Sequence, residues 1–312
     1  MQLTISLVAP IYGVEKYIQK FADSALGQTY PFIQFVFVND GTKDASIQVL
    51  NSVIDKDYAH LRDRITIVNK ENAGLPAARK TGMEYVTGDY VWHVDPDDWL
   101  EKDAVQKIAD CIKSKNYPDL IYFDLYKEYP DKTKVKKQKD FSIEEKDEYI
   151  RSMYNHHSYG CVWNKCVKRS LYLKNKVYFS KYTYAEDIYL SSQLVGYAGS
   201  IAHLSEHLYH YRKGNPNAIT KGNRKRRRGE YALNFIDMYL KFKDLPKENN
   251  PVAAIFDDML MQAGWYSLRY NLGLFKSYPW LAEQVRNIRL KSGTDVWIPA
   301  QIITKLYTYL YI

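Results

Sequence analysis

The chain contains 312 residues, of which 46% are hydrophobic and 26% are charged, and its formal net charge is +8 at pH 7. This length allows one large domain or a domain with a substantial appendage. No stretch approaches the length of about 18 apolar residues that a membrane-spanning helix needs, and the first residues lack the basic leader and cleavage site of a signal peptide. Three scattered cysteines are too few for a disulfide framework, so we expect a cytoplasmic protein.

The positive charge is concentrated in the later part of the chain. Residues 1–100 carry 9 Lys and Arg against 13 Asp and Glu, and the remaining residues carry 35 against 23. A basic surface of this kind indicates an anionic partner, such as a membrane leaflet or nucleic acid, or is simply solvated. Charge alone does not decide between these interpretations.

Apolar runs of strand length alternate with helical patterns along the first 100 residues. Strands are predicted at residues 3–10, 33–38, 65–68 and from residue 90, and helices at 14–26, 45–54 and 75–85. This alternation is typical of an α/β fold, in which helices cover both faces of a mostly parallel sheet. The ligand of such a sheet binds beyond the carboxyl ends of the strands, here residues 10–15, 39–44, 69–74 and 95–98. The chain has neither the G-x-G-x-x-G nor the G-K-[ST] sequence of two common nucleotide-binding loops.

Polar residues and glycines stand at these strand ends. Asp40 directly follows a buried strand, where its carboxylate can accept hydrogen bonds from a nucleobase or a ribose, or else cap the following helix. Gly74 lets the backbone approach a ligand closely. Arg79, in the first turns of the next helix, is placed to neutralise a diphosphate, although a solvated helix face explains it equally well.

The segment YVWHVDPDDWL, residues 90–100, combines a buried strand with three carboxylates. Pro96 favours an extended conformation at Asp95, and alternate residues of an extended chain point to the same side. Asp95 and Asp97 therefore converge, while Asp98 faces elsewhere. Converging carboxylates call for a cation, and Mg²⁺ typically takes one or two carboxylates together with water and substrate phosphates. The alternative is a solvated turn between a strand and a helix.

Three segments, VAPIYGVEKYI, FVFVNDGTKDAS and NKENAGLPAARKTGMEYVTGDYVWHVDPDDWL, occur in this order over residues 3–105. Together they resemble the family 2 glycosyltransferases of bacteria, which have the nucleotide-binding GT-A fold. The resemblance implies an inverting enzyme that uses a nucleotide-activated sugar, commonly a UDP-sugar, with Mn²⁺ or Mg²⁺. One departure is Gly13, where the family often has Asn.

The resemblance also implies roles for individual residues. Those in the nucleotide-binding half are Pro10, Tyr12 and Glu15 in the base pocket, Asp40 at the nucleoside and Arg79 near the donor. Asp95 and Asp97 correspond to the D-x-D pair of the family, with one carboxylate toward the ribose or sugar and the other on the metal. Asp98, and Trp163 in the segment CVWNKCVKRSLY, are candidates for acceptor contacts, although a core tryptophan is an equal alternative for Trp163.

The segment TYAEDIYLSSQLV, residues 183–195, carries a second pair of carboxylates. Glu186 and Asp187 open a predicted helix, so a simple helix start is the alternative explanation. The resemblance implies that Asp187 is the general base, and an ionised carboxylate is suited to take the proton of a sugar hydroxyl. Glu186 would then orient the acceptor or a backbone group.

The segment HLYHYRKGNPNAIT, residues 207–220, resembles the part that closes the catalytic domain of the family. His210 and Arg212 alternate along a predicted strand and therefore face the same side. By resemblance, His210 is a candidate for a further metal ligand, with a packed strand histidine as the alternative. Arg212 or Lys213 is placed to stabilise the departing diphosphate.

Beyond residue 223 a basic run, NRKRRRG, precedes helical patterns at 230–243, 252–270 and 279–290. The final segment, VWIPAQIITKLYTYLYI, is apolar, aromatic and too short to span a membrane, which fits a helix in a membrane interface. Burial against the rest of the protein or in a homodimer is the alternative.

Together with these patterns, the resemblance implies a GT-A catalytic domain at residues 1–220, with a nucleotide-sugar-binding half at 1–105 and an acceptor half at 106–220, and a helical region at 221–312. The resemblance and the basic, aromatic C-terminal part also imply an acceptor, which is a lipid-linked glycan or an oligosaccharide that grows into capsule, O-antigen or lipooligosaccharide at the inner face of the membrane. Nucleic acid is not an expected partner. A sugar nucleotidyltransferase would share the sheet and the metal, but this chain lacks the glycine-rich basic early loop common in those enzymes. A non-catalytic nucleotide-sugar or nucleic-acid binding protein would not need Asp187.

Overall fold

The computed structural model describes residues 2–216, 218–290, 294, 296 and 298–310, which form two compact units. Unit 1 consists of the described residues of Met1–Ile143, Cys161–Phe179 and Tyr197–Pro216. Unit 2 consists of those of Glu144–Gly160, Ser180–Gly196 and Asn217–Ile312. The predicted boundary at residue 220 lies near the start of the last segment of unit 2, but two earlier segments also belong to that unit.

The strands described in unit 1 form one mixed sheet of nine. They are β1 (Ile5–Ile11), β2 (Ile33–Asn39), β3 (Ile65–Asn69), β4 (Tyr90–His93), β5 (Trp99–Leu100), β6 (Leu120–Glu128), β7 (Thr133–Lys136), β8 (Lys165–Lys168) and β9 (Ile201–Arg212). Their order in the sheet is β3-β2-β1-β4-β8-β6-β9-β5, and β7 pairs with β6.

The first half of the sheet is the parallel one that the sequence predicts. β1 pairs in parallel with both β2 and β4, and β2 pairs in parallel with β3. All seven residues of β1 are buried, as expected for a central strand of a sheet that is covered on both faces. Because these four strands run in the same direction, their carboxyl ends lie along one edge of the sheet.

The second half of the sheet makes it mixed. β4 pairs with antiparallel β8, β8 pairs with antiparallel β6, and β6 pairs in parallel with β9. β5 directly follows the DPDD segment and pairs with antiparallel β9, with Trp99 opposite His210. This pairing holds the end of β9 next to the carboxyl end of β4.

The helices run through both units. In chain order they are α1 (Ile18–Leu26), α2 (Ser46–Asp57), α3 (Leu75–Glu84), α4 (Ala104–Ser114), α5 (Lys146–Tyr154), α6 (Arg169–Lys174), α7 (Glu186–Tyr197), α8 (Arg224–Phe242), α9 (Phe256–Arg269), α10 (Leu274–Ser277), α11 (Pro279–Asn287) and α12 (Ile298–Leu310). In unit 1, α3 packs so closely on the sheet that a Cβ atom at Gly82 would lie 2.4 Å from Val8 Cγ1.

Unit 2 is helical, and α8 is its longest helix. The helix begins at Arg224 rather than near residue 230, so the basic run forms its first turns. Its apolar side chains, which include Phe235 and Met238, are buried. None of the helices in the described part of the chain is long and apolar enough to cross a membrane.

The last described helix, α12, buries three polar side chains and exposes several large apolar ones. Gln301, Thr304 and Thr308 are buried. The exposed apolar residues are Ile298, Ile302, Ile303, Leu306 and Tyr309. Trp297, Tyr311 and Ile312 of the predicted C-terminal segment lie outside the described residues.

Candidate active site

Hydrogen bonds join the loops that follow β1 and β2. Gly13 N donates to Thr42 Oγ1 at 2.9 Å, and Glu15 N donates to Asp44 Oδ2 at 3.0 Å. The Glu15 carboxylate in turn accepts from Ala45 N at 3.1 Å. Gly13 has a φ of +68°, a left-handed conformation that Gly adopts freely and Asn tolerates. This conformation explains why Gly can stand where the resemblance leads one to expect Asn.

The two other residues predicted for the base pocket lie at the end of β1. Pro10 is buried within the strand, whereas the side chain of Tyr12 directly after it is 53% exposed. An exposed aromatic ring offers a face on which a nucleobase can stack. Of these two residues, Tyr12 is therefore the one that is open to a ligand.

Asp40 organises the loop that follows β3. Its buried carboxylate accepts hydrogen bonds from Lys70 Nζ at 2.6 Å, Ala73 N at 3.0 Å and Gly74 N at 2.9 Å. Gly74 then precedes α3 with a φ of +88°, which disfavours any residue with a side chain. Asp40 does not cap the helix that follows it; it fixes the approach of the chain to α3.

Arg79 of α3 is buried and pairs with the first carboxylate of the DPDD segment. Its Nη2 lies 2.7 Å from Asp95 Oδ1. A buried guanidinium needs such a counter-charge, so the solvated-face explanation of Arg79 is wrong. Burial, followed by the charge of Arg79, lowers the pKa of His93 to about 3, so this imidazole is neutral at pH 7.

The DPDD segment is a turn with an excess of negative charge. Asp98 N donates to Asp95 O at 3.1 Å, and Asp97 Oδ2 accepts from Asn215 Nδ2 at 2.9 Å. Asp95 and Asp97 are half-buried, whereas Asp98 is buried. Burial, and then the charges of Asp97 and Asp95, raise the pKa of Asp98 well above its ordinary value.

Asp98 and Trp163, predicted to contact the acceptor, are instead buried behind this turn. Asp98 accepts from Tyr209 Oη at 2.8 Å and from Arg212 N at 2.7 Å. Tyr209 Oη also accepts from Asp95 N at 3.1 Å. Trp163 is 2% exposed and stacks on the Tyr209 ring, with centroids 4.4 Å apart. Both residues therefore support the turn from the core, which leaves their predicted faces closed to a sugar.

His210, predicted as a further metal ligand, uses both ring nitrogens within the protein. Its Nδ1 lies 2.7 Å from Glu128 Oε1, and its Nε2 lies 2.8 Å from Glu101 Oε1. The ring is stacked between Trp99 and Tyr126, at centroid distances of 4.9 and 4.7 Å. The structure thus corrects the prediction in favour of the packed strand histidine.

Arg212 places positive charge next to the turn. Its Nε donates to Asp97 O at 2.8 Å, and its guanidinium carbon lies 4.8 Å from the ring centroids of both Tyr17 and Trp99. The contacts with the aromatic faces hold the guanidinium plane in one orientation. Contact with a diphosphate stays a prediction for this residue.

The carboxylates of Asp95 and Asp97 fit a divalent cation that is shared with a substrate. Their hard oxygens suit Mg²⁺ or Mn²⁺, which usually takes one or two carboxylates and completes its shell with water and phosphate oxygens. Within the described residues, no group of three or more His, Cys, Asp or Glu side chains is placed to hold a metal ion.

The second predicted pair of carboxylates belongs to unit 2. Glu186 and Asp187 form the first turn of α7, where Glu186 is buried and Asp187 is half-buried. Ala185, directly before them, has a φ of +64°. A left-handed non-glycine residue is uncommon and strained, and such residues cluster at functional sites.

Sequence reasoning missed several residues that build the turn and the loop after β3. Asn215, Tyr209 and Lys70 all lie in or next to segments singled out above, but their partners are far away in the chain: Asn215 is 118 residues from Asp97, and Tyr209 is 111 residues from Asp98. Among these three residues, a local signal existed for Asn215, which lies in the polar loop after β9 and could for that reason have been named as a candidate.

The chain is similar to known proteins in sequence and in fold. The family model described as Glycosyl transferase family 2 matches residues 6–175. Glycosyltransferase GlyA of Streptococcus pneumoniae serotype 4 is 32% identical over 221 residues, which cover 67% of this chain and 30% of GlyA. The chain therefore spans about a third of the length of that relative.

Two solved structures share the fold. Staphylococcus aureus TarS 1–349 in complex with UDP-GlcNAc has a TM-score of 0.68 at 16% identity, covering 98% of this chain and 89% of that one. Mannosyltransferase PcManGT of Pyrobaculum calidifontis in complex with GDP-Man and Mn²⁺ has a TM-score of 0.56 at 15% identity, covering 99% and 88%. The GT-A-like fold agrees with the family match, and the chain belongs to glycosyl transferase family 2.

Proposed function

We propose that the chain is an inverting glycosyltransferase that moves a sugar from a UDP-sugar to a hydroxyl of a bacterial surface glycan. The observation that carries this proposal is the cluster at the carboxyl ends of β1–β4. It combines the exposed ring of Tyr12, the loop that Asp40 orders, and the half-buried carboxylates of Asp95 and Asp97. The UDP-GlcNAc bound to the TarS fold neighbour makes UDP the first nucleotide to test.

In this proposal the nucleoside binds beyond β1 and β2, with its base against Tyr12. Asp97, together with Asp95, would hold a Mg²⁺ or Mn²⁺ ion, which supplies positive charge for the leaving diphosphate. Arg79 keeps Asp95 oriented through the 2.7 Å ion pair. Arg212, fixed against aromatic rings and bonded to Asp97 O, would add positive charge next to the turn.

Asp187 is proposed as the general base. Its carboxylate takes the proton of the acceptor hydroxyl while the hydroxyl oxygen forms a bond to the anomeric carbon. The bond from that carbon to the diphosphate oxygen breaks on the opposite face, and its electron pair leaves with the nucleotide. The attack from the opposite face inverts the configuration. The strained Ala185 supports this assignment, because strain of this kind needs a surrounding structure that enforces it.

The donor site is tested by calorimetric titration with UDP, first with Mn²⁺ and then with EDTA. We expect metal-dependent binding that Asp97→Asn weakens strongly. Asp103→Asn is a matched control, because Asp103 is a partly exposed carboxylate six residues further on whose partner is Lys107. Equal affinity of both variants for UDP would remove Asp97 from the site.

The base is tested separately by the rate of transfer. We expect Asp187→Asn to lower kcat by about 100-fold or more, the usual contribution of a general base, while its affinity for UDP is retained. Asp244→Asn, at a side chain that is 83% exposed, is the control. Normal transfer by the Asp187 variant would show that another group accepts the proton.

We also propose that α12 rests on an anionic membrane. Its exposed face is apolar, and the described part of this helix contains one Lys and no acidic residue. Arg286 lies beside this face, with its guanidinium carbon 5.3 Å from the ring centroid of Tyr309. An apolar helix face flanked by cations is the usual design of an interfacial helix.

Sedimentation with vesicles that contain phosphatidylglycerol tests this contact. The double variant Ile303→Asp and Leu306→Asp should lose most of its vesicle binding. The matched control is Leu173→Asp with Leu240→Asp, at two other exposed leucines. If both variants sediment with the vesicles like the wild-type protein, the apolar face of α12 does not bind the membrane.

A further inference from the structure

The first turns of α8 carry five consecutive cations, Arg224 to Arg228. The helix has no acidic residue in its first turn, and the positive end of the helix dipole disfavours cations at this place. Arg224, Lys225 and Arg226 are exposed, and Arg227 and Arg228 are half-buried. A run of charges on a solvated helix face does not require ordered side chains, whereas Arg226, Arg227 and Arg228 each contact a side chain outside the run.

Tyrosine rings orient the arginines of this basic run. The guanidinium carbon of Arg227 lies 5.3 Å from the ring centroid of Tyr184. That of Arg228 lies 5.1 Å from the ring centroid of Tyr266, whose hydroxyl accepts from Arg228 Nη1 at 2.8 Å. A guanidinium that is stacked on an aromatic face keeps its outer N–H groups available for an anion.

The same helix holds the segment that carries the proposed base. Glu230 accepts from Tyr184 N at 2.8 Å and from Arg226 Nε at 2.7 Å. Asn234 Nδ2 donates to Tyr184 O at 2.9 Å. Both backbone groups of Tyr184 are thus bound by α8, three residues before Asp187. The basic run and the carboxylate pair are therefore parts of one hydrogen-bonded arrangement within unit 2.

We propose that the basic run of α8 binds a phosphate group of the acceptor, and so presents the acceptor hydroxyl to Asp187. Clustered arginines recognise phosphate through paired N–H donors. The substrate class is then a phosphate-bearing glycan, in which the phosphate is either a diphosphate that joins the sugar to a lipid or a phosphodiester between sugars. This inference rests on the proposed function, since it takes Asp187 as the base.

The test uses a patch variant, Arg224→Gln, Lys225→Gln and Arg227→Gln. It leaves Arg226 and Arg228 in place, because these pair with Glu230 and Tyr266. The control variant, Lys132→Gln, Lys134→Gln and Lys137→Gln, removes the same charge from exposed positions around β7. Both variants should keep the thermal midpoint of the wild-type protein.

Binding is measured first with inorganic pyrophosphate as the probe, on protein saturated with UDP and Mn²⁺. We expect the patch variant to bind pyrophosphate about tenfold or more weakly, with the control unchanged and the difference smaller at high salt. Unchanged pyrophosphate affinity of the patch variant would overturn the inference. So would a loss of UDP affinity in the patch variant, since the run would then serve the donor.

Transfer is then measured with two acceptors, a saccharide on a short prenyl diphosphate and a soluble phosphodiester-linked saccharide, against the neutral saccharide. A KM that rises by about tenfold for one phosphate-bearing acceptor, with the neutral acceptor unaffected, identifies the source of the phosphate. An equal effect on all three acceptors would refute recognition of phosphate, and loss of vesicle binding alone would reassign the run to the membrane. A protein that binds no UDP under any condition would instead refute the proposed function. The pyrophosphate titration can be repeated without UDP, so the two failures can be told apart.

Discussion

The exchange of Asp40 for Asn removes one acceptor oxygen from a carboxylate whose two oxygens both accept hydrogen bonds. Oδ1 accepts from Lys70 Nζ and Ala73 N, and Oδ2 accepts from Gly74 N. The amide group of Asn must face one of these donors. A buried N–H without an acceptor costs about 1–3 kcal/mol, and the weakened ion pair with Lys70 adds up to about 1 kcal/mol. We therefore expect the loop at residues 70–74 to lose about 1–4 kcal/mol of local stability.

Hydrogen exchange of peptides that cover residues 70–75 measures this loss directly. A change of this size increases the exchange rate of the Ala73 and Gly74 amides by a factor of about 5 or more. The UDP affinity should fall as well, because the ordered loop is part of the proposed donor site. Asp55→Asn is the control, since Asp55 pairs with Arg62 on the surface and is 66% exposed. Equal exchange of this peptide in both variants would refute the view that Asp40 holds the loop.

Three further predictions follow from a buried hydroxyl, a half-buried carboxylate and two buried thiols. Tyr209→Phe removes the hydroxyl between Asp95 N and Asp98 and should lower Tm by about 5 °C, for a loss of about 2 kcal/mol; an unchanged Tm would mean that water replaces it. Burial alone would raise the pKa of Glu128, but hydrogen bonds from Thr133 and His210 and the charges of His210 and Lys20 outweigh it and lower the pKa. The stability from this carboxylate is therefore present above its unfolded pKa and lost as pH falls through the lower folded value. The urea midpoints of the wild-type protein and Glu128→Gln should therefore converge between pH 5 and pH 3. A constant difference between the two midpoints would contradict this. Burial raises the thiol pKa of Cys111 and Cys166, so iodoacetamide at pH 8 should label both only after unfolding, and rapid labelling of the native protein would show that these thiols are accessible.

Local patterns predicted the parallel half of the sheet and the positions of its ends. β1 to β4 are short apolar runs between polar turns, and each was found within a few residues of its predicted range. The strands depend on neighbouring residues alone, which is why the sequence reveals them. Asp95, Asp97 and Asp98 lie in a turn, in which Asp98 N donates to Asp95 O, so the predicted alternation of an extended chain does not describe them.

Features that depend on distant partners were not predictable in this way. His210 could be a ligand or a packed residue until its partners were known, and these are Glu128, 82 residues away, and Glu101, 109 residues away. The start of α8 was placed too late because five cations oppose the dipole at a helix start. In both cases a contact elsewhere in the fold decides the role of the residue.

The path of the chain through unit 2 limits how the protein can be shortened. Tyr154 of α5 packs on Phe235 of α8, with ring centroids 5.1 Å apart, and Tyr189 of α7 donates to Asp237 of α8 at 2.7 Å. During synthesis, α5 and α7 therefore cannot complete this packing until α8 has been made, and α8 begins 27 residues after α7 ends. A fragment cut near residue 220, although it would retain every strand of the sheet, would leave α7 and its Asp187 without the surface on which they fold.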